Sequence, residues 1–231
     1  ASDFALSISG GVATLNDATP SSISPSGNVY TLGLNLSGTP NGAETLTVVP
    51  SGDTAIYDAS GNAASTTQSN NTISLNDQAA PIVSGTTIAS NNSTIAVTFN
   101  EAVFNTDGGS GALEASDFAL SISGGVATVN ATPSSISISG NVYTLGLNLS
   151  GTPSGAETLT VVPSSSTSIY DASGSAASTT QSNNTISLND LVAPIVSGTT
   201  VASNNSTIAV TFSEAVFDTN GGSGALEVSD F

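Results

Sequence analysis

Carboxylates are the one class of side chain in this sequence with strong acid, base or metal-binding chemistry. Asp and Glu number 17, whereas Lys, Arg, His and Cys are all absent. With no basic side chain to pair with, every carboxylate must be neutralised by water, backbone N–H groups or bound cations. Catalysis would have to rest on a carboxylate pair or on a Ser nucleophile without its usual base. Nothing marks such a pair, and the same acids recur in successive repeats, so the chain is expected not to be an enzyme. Clustered carboxylates without one cationic side chain repel each other unless a cation sits among them. Calcium suits such a cluster, because it takes about six to eight oxygen ligands from carboxylates, Asn side chains and backbone carbonyls in irregular loops. Zinc or copper would call for His or Cys.

The candidate ligands are Asp77, Glu101, Asp107, Glu114, Asp117 and Asp171 at one junction, with Asp190, Glu214 and Asp218 at its repeat. The loop Asn105-Thr106-Asp107 returns as Asp218-Thr219-Asn220, so the carboxylate changes place while each loop keeps one. Asp53 is replaced by Ser166 without such compensation. A competing reading is that Asp and Asn in Gly-rich loops cap their own turns and that the acidity is a solvated surface. For Asp171, and for its counterpart Asp58 in Tyr57-Asp58-Ala59-Ser60-Gly61-Asn62, capping competes evenly with ligation.

The elements that must position these acids follow from an internal repeat. Asp3, Asp117 and Asp230 each stand in the phrase Ser-Asp-Phe, 114 and then 113 residues apart, the difference being Asp17, which the later copy lacks. A period of that length is a domain. Leu75-Asn76-Asp77-Gln78-Ala79-Ala80-Pro81 and Leu188-Asn189-Asp190-Leu191-Val192-Ala193-Pro194 are the linkers, each Pro excluding a central ladder position. Residues 1–77 are expected to be the later strands of one module, 78–190 a complete module and 191–231 the opening strands of a third.

Within the complete module, Ile82 to Ile88 reads as a first strand, and Ile95, Val97 and Phe99 alternate as the buried side of a second. Phe118, Leu120 and Ile122 continue the pattern in a third strand. Tyr143, Leu145, Leu147 and Leu149 form the longest alternating run, followed by Leu159 and Val161. About seven or eight short strands, no helical periodicity and polar turns predict an all-β, immunoglobulin-like antiparallel sandwich. If the strands alternate in direction, Glu101, the 105–111 loop, Glu114, Asp117 and the 170–174 loop all fall at the linker end of the module.

Composition narrows the partners. A hydrophobic content of 38% is enough for a packed core. A surface of one negative sign repels nucleic acid and anionic lipid, and no apolar run approaches a membrane span. The chain opens inside a repeat, so an array running on through both ends is expected, or copies that complete each other head to tail.

Ser116-Asp117-Phe118-Ala119-Leu120-Ser121-Ile122, Ser139-Gly140-Asn141-Val142-Tyr143-Thr144-Leu145 and Tyr57-Asp58-Ala59-Ser60-Gly61-Asn62 resemble phrases of the tandem bacterial immunoglobulin-like repeats of giant surface proteins and adhesins. The chain is also similar to swimming-associated cyanobacterial surface repeats. Asn76-Asp77-Gln78-Ala79-Ala80-Pro81 looks like a cadherin-type linker, with Ser74 where such linkers carry an acid. The resemblance implies an extracellular or cell-surface location, a stalk or filament role and calcium at module junctions, with any adhesive ligand bound elsewhere in the full protein. Three roles stay open: a structural spacer, a self-polymerising matrix or surface-layer subunit, and a carbohydrate-binding module. Sugar binding usually needs exposed aromatics, and the chain has seven Phe and four Tyr; most Phe fall on buried phases, and Tyr57 and Tyr170 are the candidate exceptions, with core or strand-end packing the competing reading.

Overall fold

The computed structural model describes residues 1–231. Residues 1–77 carry β1 (Phe4–Ser9), β2 (Thr14–Leu15), β3 (Ile23–Ser26), β4 (Val29–Leu32), β5 (Leu36–Ser37), β6 (Thr45–Pro50) and β7 (Thr72–Ser74). Residues 78–190 carry β8 (Val83–Ile88), β9 (Thr94–Phe99), β10 (Phe118–Ser123), β11 (Thr128–Val129), β12 (Ile136–Ser139), β13 (Val142–Gly146), β14 (Leu149–Ser150), β15 (Thr158–Pro163) and β16 (Thr185–Ser187). Residues 191–231 add β17 (Val196–Val201) and β18 (Ile208–Phe212). No helix is long and apolar enough to cross a membrane.

The middle region is an antiparallel sandwich. One sheet has the order β12-β13-β9-β8, the other β10-β15-β16, and β11 pairs with β14 at the side. Period-two alternation turns Ile95, Val97 and Phe99 of β9 toward Phe118 and Leu120 of β10 and Leu159 and Val161 of β15, giving one core of 15 buried residues. Phe99, Phe118 and Tyr143 pack as a trio, with the Phe99 and Tyr143 rings edge to face at 5.7 Å between centroids. The Tyr143 hydroxyl donates to the Val103 carbonyl at 3.3 Å. The fold is therefore the all-β sandwich expected.

The run from Tyr143 to Leu149 is not one strand, a correction to the expectation. It breaks after Gly146: β13 stays with β9, while β14 crosses to β11. At the break Gly146 exchanges hydrogen bonds with Ser134 and Ser135, and a Cβ at 146 would lie 2.4 Å from the Ser135 hydroxyl. The Ser134 and Ser135 hydroxyls occupy the space a side chain at 146 would need, and the chain changes sheets just beyond this point.

The flanking regions repeat parts of this plan. β1-β6-β7 copies the second sheet, β3-β4 copies the β12-β13 hairpin, and β17-β18 copies β8-β9. The linker after the middle region is anchored by Asn92, which adopts φ 55° at the β8–β9 turn. Its amide donates to the Asn189 carbonyl (2.8 Å) and accepts from Asn189 N (2.9 Å), fixing the chain one residue before Asp190. The preceding linker is held likewise, by Gln78 N donating to Pro40 O at 2.9 Å, one residue after Asp77.

Candidate metal centre

Three carboxylates converge where residues 1–77 meet the middle region. Oxygens of Asp77, Glu101 and Asp171 all lie within 4.8 Å of one another. Each comes from a different element, and local bonding explains each position. Asp77 sits in the linker, its Oδ1 accepting from Ala79 N at 2.9 Å. Glu101 follows the end of β9. Asp171 lies beyond β15 in a loop stitched to the Glu101 segment by reciprocal Phe104–Tyr170 backbone bonds of 2.7 and 2.8 Å.

Asp171 divides its labour. It is fully buried, and Oδ1 accepts from Ser173 N (2.9 Å), the Ser173 hydroxyl (2.8 Å) and Ser175 N (2.7 Å). Oδ2 is buried and has no hydrogen-bond partner. A buried carboxylate oxygen left bare is costly, and such orphans in native folds call for an explanation. Here the bare oxygen belongs to a group that also includes Asp77 and Glu101. Burial first, then the charges of Asp77 and Asp171, push the Glu101 carboxyl above its usual range. A capping oxygen and a bare oxygen thus coexist in one side chain, because this turn uses only one of the two.

The other sequence candidates fall in distinct places. Asp107 is exposed on the Gly-rich loop, its Oδ1 so close to Gly174 that a Cβ there would lie 2.2 Å away. Asp107 therefore borders the Asp171 loop without belonging to the group of three. Glu114 and Asp117 close a single 3-10 turn, Ala115–Asp117, in which Glu114 N donates to Asp117 Oδ2 at 2.7 Å. Burial raises the Asp117 carboxyl despite that bond. At the next junction Asp190 and Glu214 line one open cleft with Ser154, Val192 and Ser213, and Asp190 Oδ1 accepts from Val192 N as Asp77 does from Ala79 N. Asp218 turns into its own loop against Gly224, as Asn105 does against Gly111. The exchange between Asn105-Asp107 and Asp218-Asn220 therefore moves the charge from the position that borders Gly174 to the one that turns back on its own loop, and both acids are exposed.

Two buried acids escaped sequence reasoning. Glu157 is fully covered; its Oε1 accepts from Val126 N (2.8 Å) and Ala127 N (3.1 Å), and its Oε2 from Ser154 N (2.8 Å). Burial would raise its pKa, but the Ala127, Val126 and Ser154 donors outweigh that and hold it at about 2. Glu44 repeats the clamp on Ala13, Val12 and Asn41, with the Ala13 N–H the largest cause of a pKa of about 2. The signal was present: Glu157, Leu159 and Val161 share one phase, so the acid stands on the buried side of its strand. The absence of any basic partner disguised it, since backbone N–H groups supply the neutralisation.

No family model matches the chain, and no curated protein matches it. Among solved structures, the chain is similar to the N-terminal part of the bacterial S-layer protein SbsC, at 19% identity and a TM-score of 0.34. That match covers 57% of this chain and 30% of the other. The likeness is too partial to transfer a fold or a role to this chain.

Proposed function

We propose that this chain is a non-catalytic spacer from an extracellular or cell-surface repeat protein, whose modules are locked to one another by calcium at the junction. The observation that carries this reading is the bare, buried Asp171 Oδ2 grouped with Asp77 from the linker and Glu101 from the following module. The donors are all hard oxygens, with no imidazole or thiolate, which matches a calcium-class cation. Three carboxylates would supply part of the coordination shell, and water or backbone carbonyls the remainder. A cation here ties the linker to two segments of the next module, removing a hinge between them. The hydrogen bonds of Asn92 with Asn189 and of Gln78 with Pro40 support the same role, because each holds the start of a linker against the region it leaves.

The test is thermal unfolding of the whole chain in EGTA, in millimolar calcium and in millimolar magnesium. A ligand that binds only the folded state raises stability by about 2.7 kcal/mol at a hundredfold excess over its dissociation constant. Calcium is expected to raise the midpoint more than magnesium does, and Asp171→Asn to abolish that rise. An unchanged midpoint in calcium sinks the reading.

A further inference from the structure

The two copies of the Tyr-Asp-Ala-Ser-Gly loop are not equivalent: Asp58 is exposed and Asp171 is buried, and within the loop one side chain differs. Position 62 is Asn and its counterpart, position 175, is Ser. In the first copy Asp58 Oδ1 accepts from Ser60 N (2.9 Å) and Asn62 N (2.8 Å), and the Asn62 side-chain amide donates to Asp58 Oδ2 at 2.8 Å. Both oxygens are occupied from within the loop. These donors, with the Asn62 amide the largest cause, hold the Asp58 carboxyl below its usual range. In the second copy Ser175 N still reaches Asp171 Oδ1 (2.7 Å), but the Ser175 hydroxyl lies 3.2 Å from the Ser173 hydroxyl and supplies nothing to Oδ2. The backbone turn is the same, whereas the second oxygen is capped in one copy and bare in the other.

We propose that the residue at position 175 selects whether the junction takes a divalent cation: Ser leaves Asp171 Oδ2 open to the ion, and Asn closes it with an amide that stands in for the ion. This rests on the calcium reading of the Asp77–Glu101–Asp171 cluster and adds its on–off determinant. An amide N–H and a hard cation compete for the same lone pairs of a carboxylate, so a cation must break the Asn contact before it can bind. The chemistry is local, and the substitution leaves every backbone bond of the loop in place. An array built from such modules would contain stiff and loose junctions set by a single residue in each.

The test compares calcium binding by the full chain, its S175N variant and its S175A variant, using isothermal titration together with the calcium-induced rise in melting temperature. S175N is expected to fold, since the first copy carries Asn in the same turn. It is expected to bind calcium roughly 10- to 100-fold more weakly, the loss equivalent to one charge-assisted hydrogen bond that the ion must displace. S175A is expected to bind like the parent chain, because the hydroxyl does not reach Oδ2. Equal affinity in the parent and S175N overturns the selector and leaves the cation reading standing. Equal losses in S175N and S175A also overturn it, because they assign the effect to the hydroxyl. A parent chain that binds no calcium overturns both.

Discussion

β9 and β18 carry nearly the same residues, yet one is core and the other is surface. Ile95 is 0% exposed and its counterpart Ile208 65%; Val97 is 0% exposed and Val210 37%. The hairpins are otherwise alike, since β17–β18 reproduces the β8–β9 register down to the same irregularity after the first pair. The same contrast separates Tyr143, 3% exposed on β13, from Tyr30, 51% exposed on β4. β13 is paired on both edges, by β12 and β9, whereas β4 pairs with β3 alone. Alternation decides which face of a strand can be buried. Burial itself needs an opposing sheet: Phe118 and Leu120 are buried even though β10 is an edge strand paired with β15 alone.

Substitution in matched pairs tests that contrast, and the largest effect is expected in the aromatic core. Phe118→Ala should cost about 3–5 kcal/mol in urea unfolding followed by circular dichroism, whereas Phe231→Ala, its exposed counterpart, should stay within about 0.5 kcal/mol. Ile95→Ala should cost about 2–5 kcal/mol, and Ile208→Ala about 0.5 kcal/mol or less. Equal costs within either pair would mean that the exposed strands are packed in solution.

The buried clamps come next. Glu157 and Glu44 have folded pKa values of about 2 against 4.5 for the ordinary side chain, so the unfolded chain binds more protons between those values. Their stabilisation is present above pH 4.5 and is lost as pH falls toward 2. Glu157→Gln should lower the urea midpoint at pH 7 and flatten this acid limb. Retention of the full limb in the Glu44→Gln, Glu157→Gln double variant would assign it to other groups.

The junction should respond in the opposite sense. Asp171→Asn presents an amide to Asp77 and Glu101, so it is expected to raise the melting point modestly in EGTA while removing the calcium response. A fall in EGTA would show that the Oδ1 cap outweighs the repulsion. The smallest effect is the Glu101 titration. Its pKa is raised, so the folded chain holds the proton longer, and stability without metal should decline as pH rises through the range above 4.5. Glu101→Gln should remove that decline, checked by melting points between pH 4 and 7 in EGTA.

Much of the fold was legible because strand alternation and turn composition are local. Ile95-Val97-Phe99 and Phe118-Leu120 declare their buried phase without reference to the rest of the chain. The convergence of Glu101 and the 170–174 loop on the linker end also followed, since it depends only on strand direction. Which of the acids would meet was not legible. Glu114 and Asp117 satisfy a short turn with each other, and Asp107 stops at Gly174, because hydrogen-bond partners within a few ångströms decide such choices. The split of the Tyr143–Leu149 run was hidden because Leu147 and Leu149 keep the same period across a change of sheet.

The sequence by itself determined the all-β class, the recurrence of the same phrases along the chain, and the fact that any neutralising partner for an acid must be backbone, water or a cation. Those follow from residue types and periodicity, which carry no distances. Tertiary structure alone decided that Glu157 ends its search on backbone N–H groups while Asp171 keeps one oxygen bare beside Asp77 and Glu101. Both acids are buried, and the difference lies in how many donors the surrounding loops bring within hydrogen-bond reach of each oxygen.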